Sequence, residues 1–306
     1  MALNLPSYLK TAVKVVLSAL SLWLVFRKIE PAKVWAVVSG AEVGWLLVAT
    51  ALFVLSKAVS SERLRVLFRS IGLSLRSRPN LKLYWLGMYY NLFLPGGIGG
   101  DGYKVFLLNR LTGTPMKPLV AATLLDRLLG LLPLLYALAL FSAVVPQVSE
   151  WVGFTINWQA LAAILVLHVS ARRLLKRFMP QFLPVFSSST ALSGLVQGLQ
   201  LGQILALMRA MDVNGDPRAY LLVFLISSIV ATIPFTIGGA GARELTFLVG
   251  ARMLNLPADA AVAISLLFYL ITAVVSLTGV VYSFRSATLA KELGVERREG
   301  ANPVRL

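Results

Sequence analysis

Cysteine is missing from the chain altogether, which excludes disulfides and thiolate metal sites. Histidine occurs once, at His168, so an imidazole metal cluster is excluded as well. Charged side chains make up only 14% of the 306 residues, against about a quarter in soluble domains. Acids are the scarcer sign, with 13 Asp and Glu against 29 Lys and Arg. No G-x-x-x-x-G-K-[S/T] motif is present, so ATP hydrolysis is not an energy source. Ten-residue segments of alternating hydrophobicity are lacking too, which excludes a β-barrel.

What the chain does have is hydrophobic residues, at 58%. Several apolar runs reach roughly 17–25 residues, the length that crosses a bilayer as a helix. The composition is that of a membrane protein. The net charge of +16 would suggest nucleic acid in a soluble protein. Here the basic residues flank spans and meet anionic headgroups, and no nucleic-acid partner is expected.

Six runs read as full spans: 8–26, 43–61, 118–145, 158–170, 188–210 and 260–284. The first lacks a small-residue cleavage site and is followed by Arg27-Lys28, so it reads as an anchor and not a signal peptide. Lys57 sits near the end of its run and is expected to snorkel. Residues 62–82 read as a basic loop, and Arg172 to Arg177 as an amphipathic piece on the membrane surface. Gly194, Gly198 and Gly202 form a small-residue face expected to pack inside the bundle, with Gln197, Gln200 and Gln203 beside it. His168 is given no role.

Two glycine loops organise the rest. Pro95-Gly96-Gly97-Ile98-Gly99-Gly100-Asp101-Gly102-Tyr103-Lys104 is repeated as Pro234-Phe235-Thr236-Ile237-Gly238-Gly239-Ala240-Gly241-Ala242-Arg243. The common pattern is P-x-x-I-G-G-x-G-x-[K/R]. The apolar stretch before the first loop, 83–94, would rise only about 18 Å as a helix, too short to cross. Each loop is therefore expected to turn a re-entrant helical hairpin, the first over about 81–114 and the second over about 218–254.

Nineteen Lys and Arg fall in segments 1–14, 62–82, 110–117, 171–186 and 285–306, against four in 27–42, 146–157, 211–218 and 255–259. The positive-inside rule places the first set in the cytoplasm, with both termini. The expected fold is an all-α polytopic membrane protein with six spanning helices and two re-entrant hairpins in an inverted repeat. Residues 1–285 form one transmembrane domain, with repeat one at about 43–145 and repeat two at about 188–284. Residues 286–306 form a short cytoplasmic tail. Inverted repeats with broken helices are a transporter architecture with the substrate site at the repeat interface.

Glycine permits positive φ and close backbone approach. A loop that opens a helix presents free N–H groups and a positive dipole end, which suits a phosphate. Lys104 and Arg243 follow the two loops and can supply countercharge. The competing reading is that the glycines only let helix ends pack tightly. Gly97, Gly99 and Gly102 spell a lone G-x-G-x-x-G, but it follows a helix, so a dinucleotide site is rejected. Asp126, Arg127, Arg243 and Glu244 lie inside or beside apolar runs, where charges are costly, pair up and mark pathways. Arg127 is expected to face a cavity with Asp126 or Asp101 as partner. A purely structural ion pair bracing the two repeats is the alternative.

Asn91-x-x-Leu94-Pro95-Gly96, Gly100-Asp101-Gly102, Asp126-Arg127-x-x-Gly130 and Pro234-x-x-x-Gly238-Gly239-x-Gly241-x-Arg243-Glu244 resemble the lysylphosphatidylglycerol synthase transmembrane (flippase-like) family. The resemblance covers about residues 8–285. Its best-known members are similar to the N-terminal half of the multiple peptide resistance factor. There this domain is taken to move aminoacylated phospholipid between leaflets, and a separate C-terminal domain makes that lipid. The present sequence has no counterpart of the synthase domain, so the resemblance implies the translocating part. Stand-alone members are linked to varied lipids, polyprenyl-phosphate glycolipids and hopanoid-type lipids.

The expectation is a lipid translocase of the bacterial inner membrane, not an enzyme, with no cofactor and no metal. It would move an anionic or phosphate-bearing lipid, downhill or coupled through Asp101, Asp126 or Glu244. The candidate substrate-binding residues are Asn91, Pro95, Gly99, Gly100, Asp101, Gly102 and Lys104 around the first loop, and Asp126 and Arg127 in the following span. Pro234, Gly238, Gly239, Gly241, Arg243 and Glu244 complete them around the second. Expected partners are a membrane phospholipid or lipid-linked substrate, the bilayer, and a lipid-synthesis enzyme as a further candidate. Two other functions fit the same residues: an intramembrane transferase using one of those carboxylates, and a non-transporting partner of a lipid-synthesis enzyme.

Overall fold

A computed structural model describes residues 39–93, 99–145, 148, 157–232, 242–284, 289 and 292–293. Its elements are α1 (Val43–Ser70), α2 (Ser77–Phe93), α3 (Gly99–Thr112), α4 (Met116–Val144) and α5 (Asn157–Phe178). A 3-10 segment, Pro180–Val185, leads into α6 (Phe186–Ala210). Then follow α7 (Pro217–Thr232), α8 (Ala242–Met253), α9 (Ala258–Leu277) and the short α10 (Val280–Phe284). No strand occurs among the described residues.

The helix ends carry local signals. After α1, Leu73 N–H bonds to the Phe68 carbonyl and Gly72 N–H to that of Arg69, with Gly72 at φ +82°. This is the Schellman arrangement, and Phe68 and Leu73 are buried in one cluster across it. Before α7, the Asp216 carboxylate accepts the Arg218 backbone N–H at 3.0 Å, and Pro217 takes the first helical position. Hydrogen bonds from Arg218 hold the Asp216 carboxyl below the usual carboxylate range.

Among the described residues five helical stretches are long and apolar enough to cross a membrane: Val43–Ser70, Met116–Val144, Trp158–Phe178, Pro180–Ala210 and Ala258–Phe284. They coincide with five of the six expected spans. The sixth, 8–26, lies outside the described residues. The protein is thus an all-α, multi-pass membrane protein.

Two boundaries differ from expectation. The helix α1 does not stop at 61 but runs to Ser70, which puts Lys57 mid-helix, where snorkelling to an end is not its role. It continues because Arg63, assigned to a cytoplasmic loop, is buried against a carboxylate instead of ending the span. The helix α5 runs unbroken to Phe178, so the short span and the surface piece are one helix. Its four cations all lie on exposed positions, and continuing the helix buries none of them.

The short helices pack in pairs, α2 on α3 and α7 on α8. At 17 and 16 residues, α2 and α7 rise about 24–26 Å, less than the roughly 30 Å hydrocarbon core. Each pair is centred on a different core, although Trp85 and Met88 of α2 also pack against the second. Leu83, Leu86 and Leu108 of the first pack with Leu64, Phe68 and Leu125. Phe224 and Phe247 of the second pack with Phe53 and Phe268.

The most extensive helix interface joins α1 to α6, and these two helices contribute to both cores. Their register is antiparallel. Glu42 N–H bonds the Ala210 carbonyl at 2.7 Å, Leu52 lies 3.5 Å from where Gly202 would carry a Cβ, and Arg63 reaches Ser193 at 2.9 Å. Among the described residues Gly202 is the only glycine of its expected face at packing distance. Among the described residues nothing lies within 4 Å of a Cβ on Gly194 or Gly198, so no three-glycine seam forms there. Small serines serve instead: Ser189 and Ser193 are buried on α6.

Gly100 is a forced glycine. A Cβ there would collide with the Gly87 carbonyl oxygen of α2, so α3 can dock only with its backbone bare. The tail is tied in as well: Leu289 and Leu293 are buried, and Glu292 pairs with Lys82 of α2 at 2.6 Å.

Candidate functional site

The interior charges sort into three groups. Asp101 opens α3, and Lys104 lies one turn later at 2.6 Å. Arg127, from α4, pairs with the other oxygen of Asp101. The Lys104 ammonium also sits 4.8 Å from the centre of the Tyr84 ring. Its methylenes run past Gly87, where a Cβ would lie 2.9 Å from Lys104 Cδ. One carboxylate thus serves two cations. Arg127 has Asp101 as its partner and not Asp126.

Asp126 belongs to the second group. Its Oδ1 accepts from Arg63 Nε at 2.7 Å, and both side chains are nearly inaccessible, at 6% and 9%. Arg63 Nη1 also donates to Ser193 Oγ, which donates in turn to the Ser189 carbonyl at 2.8 Å. Gly130, one turn after Asp126, leaves room for this guanidinium: a Cβ there would lie 3.3 Å from Arg63 Nη1. That is the physical content of the Asp-Arg-x-x-Gly spacing. The group links α1, α4 and α6 and reads as a brace, because buried charges persist only when paired and hydrogen-bonded.

The third group lines a cavity of about 280 Å³ walled by α1, α2, α7, α8 and α9. Lys57 and Arg243 enter it, with Asn91, Ser228, Thr232 and Ser276 as polar neighbours. Phe53, Met88 and Leu92 supply an apolar side. The Arg243 guanidinium lies 4.5 Å from the Phe268 ring centre and 5.8 Å from that of Phe224, and Lys57 Nζ lies 4.8 Å from Phe53. Aromatic faces partly offset a buried cation but do not neutralise it. Arg243 Nη1 is buried without a hydrogen-bond partner among the described residues. Among the described residues no Asp or Glu lines the cavity. Two like charges in an apolar bundle are costly unless an anion joins them. The arrangement therefore suits a ligand with an anionic head and a hydrocarbon body.

Several expected site residues take different places. Asn91 lines the cavity, and its Oδ1 also accepts Gly100 N–H at 2.8 Å. One free amide at the start of α3 is thereby used internally. Gly99 is half-buried, and Gly102 is exposed, with open space around a Cβ. Glu244 turns to α9, where Ser265 Oγ lies 3.4 Å from its Oε1. Pro95, Pro234, Gly238, Gly239 and Gly241 lie outside the described residues. The structure thus brings Asp101, Lys104 and Arg127 together. Asp126 it sets apart with Arg63, and Arg243 joins Lys57.

Lys57 and Arg63 are the residues that sequence reasoning missed. Their signal was a polar stripe on α1: Ser56, Lys57, Ser60, Ser61 and Arg63 recur at helical spacing within an apolar run.

The family model described as the lysylphosphatidylglycerol synthase TM region matches residues 11–279. No curated protein matches the chain.

Proposed function

Because the chain belongs to the lysylphosphatidylglycerol synthase TM region family, we propose that it moves an anionic or phosphate-bearing lipid between leaflets, with the headgroup held in the Lys57–Arg243 cavity. The observation that carries this reading is the cavity itself. Among the described residues it sets two cations and no carboxylate beside an apolar wall, between the spanning helices α1 and α9 and the short helices α2, α7 and α8. Residues flanking both loops line it: Asn91 before the first, Thr232 before the second and Arg243 after the second.

The proposal includes the full architecture: six spans, two re-entrant hairpins and an inverted repeat. The short pairs α2/α3 and α7/α8, each centred on a different core, support it, as does the antiparallel α1–α6 pairing of the repeats' first spans. The two loop cations also behave alike, each resting on an aromatic ring of its own hairpin, Lys104 on Tyr84 and Arg243 on Phe224. They differ in one respect. Three residues before Lys104 stands Asp101, and three before Arg243 stands Ala240. The first copy carries its own anion, and the second leaves its cation for cargo.

Both termini lie in the cytoplasm of a bacterial inner membrane in this reading. The Lys82–Glu292 pair supports a common side for the loop before α2 and the C-terminal segment. The protein acts as a carrier and not as an enzyme, and it works beside an enzyme that makes or uses the lipid. Transport is downhill or coupled to protons or potential. The test is purified protein in liposomes with leaflet-selective and chemical analysis of the lipid. Redistributed, unaltered lipid is the expected result. Chemically changed lipid would mean a transferase, and lipid neither moved nor changed would mean a non-transporting partner.

A further inference from the structure

A second apolar feature lies away from the cavity, where α5 ends and α6 begins. Leu125 and Leu129 of α4, Leu174 and Phe178 of α5, Met179 and Phe186 surround a groove of about 330 Å³ with wholly apolar walls. It exists because the chain turns there through Pro180–Val185, where Pro180 and Pro184 remove backbone donors and forbid a continuous α-helix. The helix α4 packs on both α5 and α6, leaving the cleft between their ends. The groove is open at its side, with Leu174 and Phe178 exposed at 58% and 72%. All three flanking stretches are long and apolar enough to span, which suits an opening toward the bilayer.

The rim is charged. Arg172, Arg173, Lys176 and Arg177 occupy the last turns of α5, and all four are exposed. The sequence has no Asp or Glu between Glu150 and Asp212. Among the described residues no carboxylate pairs with any of the four. The Arg177 guanidinium lies 5.7 Å from the centre of the Phe178 ring, which puts a cation at the mouth of the groove. An apolar slot that ends in uncompensated cations at the end of a span matches one kind of molecule in both position and charge.

We propose that this groove is a binding site for one acyl chain of an anionic phospholipid, with the headgroup phosphate held by the α5 cations. It is separate from the transport cavity, and occupancy would fix the angle between α5 and α6. An acidic amphipathic segment of a partner protein has similar chemistry, but it would have to enter from water, and the groove opens toward the bilayer.

The absence of cysteine permits one clean reporter: Leu174→Cys, labelled with a bimane fluorophore, in the full chain reconstituted into vesicles. Brominated phosphatidylglycerol diluted in phosphatidylcholine is compared with brominated phosphatidylcholine at the same mole fraction. An interfacial cation raises local anionic-lipid affinity by about fivefold. The anionic probe should therefore quench at least about threefold more strongly. Replacing Arg172, Arg173, Lys176 and Arg177 together by Gln should abolish the difference, whereas Arg243→Gln should leave it intact. Should the fourfold variant fail to insert, about 1 M salt, with a Debye length of about 3 Å, gives the same test on the unmodified charges. Equal quenching by the two lipids overturns the proposal, as does a preference that survives charge removal or salt. Quenching by neither lipid overturns it too, since protein would then fill the groove.

Discussion

Replacing Arg63 by Met removes one half of the most deeply buried ion pair among the described residues. The side chains of Arg63 and Asp126 are only 6% and 9% exposed, so Asp126 would be stranded at low dielectric. Leaving one member of a buried pair uncompensated costs about 3–5 kcal/mol. Ser193, which donates to the Ser189 carbonyl, would lose only the donor it accepts from, a smaller effect of about 1 kcal/mol. At the roughly 2–4 °C per kcal/mol found for chains of about 150–250 residues, the pair alone lowers the melting temperature by about 6–20 °C. Arg63→Met/Asp126→Leu removes both charges and should recover most of that loss. The assay is melting of purified protein in detergent, paired with binding of phosphatidylglycerol in nanodiscs. The double variant should bind lipid as the parent does, since neither residue lines the cavity. A single variant that melts like the parent would refute the brace. A refolded double variant that cannot bind lipid would mean that the pair belongs to the site.

The two loop glycines with known surroundings should separate cleanly. Gly100→Ala should prevent stable accumulation in the membrane, because its Cβ meets the Gly87 carbonyl, while Gly102→Ala, with open space, should melt like the parent; expression and melting decide this. Topology is testable by introduced cysteines in right-side-out cells: Asn214→Cys should label from outside, and Ser74→Cys and Ser286→Cys only after permeabilisation. External labelling at residue 286 alone would break the even number of crossings that the inverted repeat requires.

Five spans were legible because each is a long, predominantly apolar run, and hydropathy needs no tertiary knowledge to reveal that. Their ends were not. On hydropathy alone the run 43–61 stops at Glu62-Arg63, since the carboxylate that lets Arg63 stay inside is 63 positions away. Once the helix was ended early, Lys57 read as a snorkelling end residue, and the cavity lost one of its two cations. The repeated loops fall largely outside the described residues, and Gly130 was visible only as part of the Asp126-Arg127-x-x-Gly130 resemblance. Its reason, room for a guanidinium from another helix, exists only in three dimensions. Lys104 and Arg243 share a sequence signature but not an environment, because Asp101 pairs with Lys104, and with Arg127, while Ala240 stands at the matching position before Arg243. Of the α6 glycines, only Gly202 meets α1; the spacing by itself does not say which of the three that helix uses.

The central claim is that Lys57 and Arg243 hold the headgroup of a transported lipid. It is tested most directly by the rate at which fluorescent phosphatidylglycerol changes leaflet in proteoliposomes, with phosphatidylcholine as the neutral comparison. The parent protein should move the anionic lipid faster than the neutral one. A charge-assisted contact is worth about 1.5–3 kcal/mol, or about ten- to a hundredfold. Arg243→Gln and Lys57→Gln should each slow the anionic lipid by at least about tenfold while melting no lower than the parent. Transport by both variants at the parental rate, or a parent that moves neither lipid, would contradict the account.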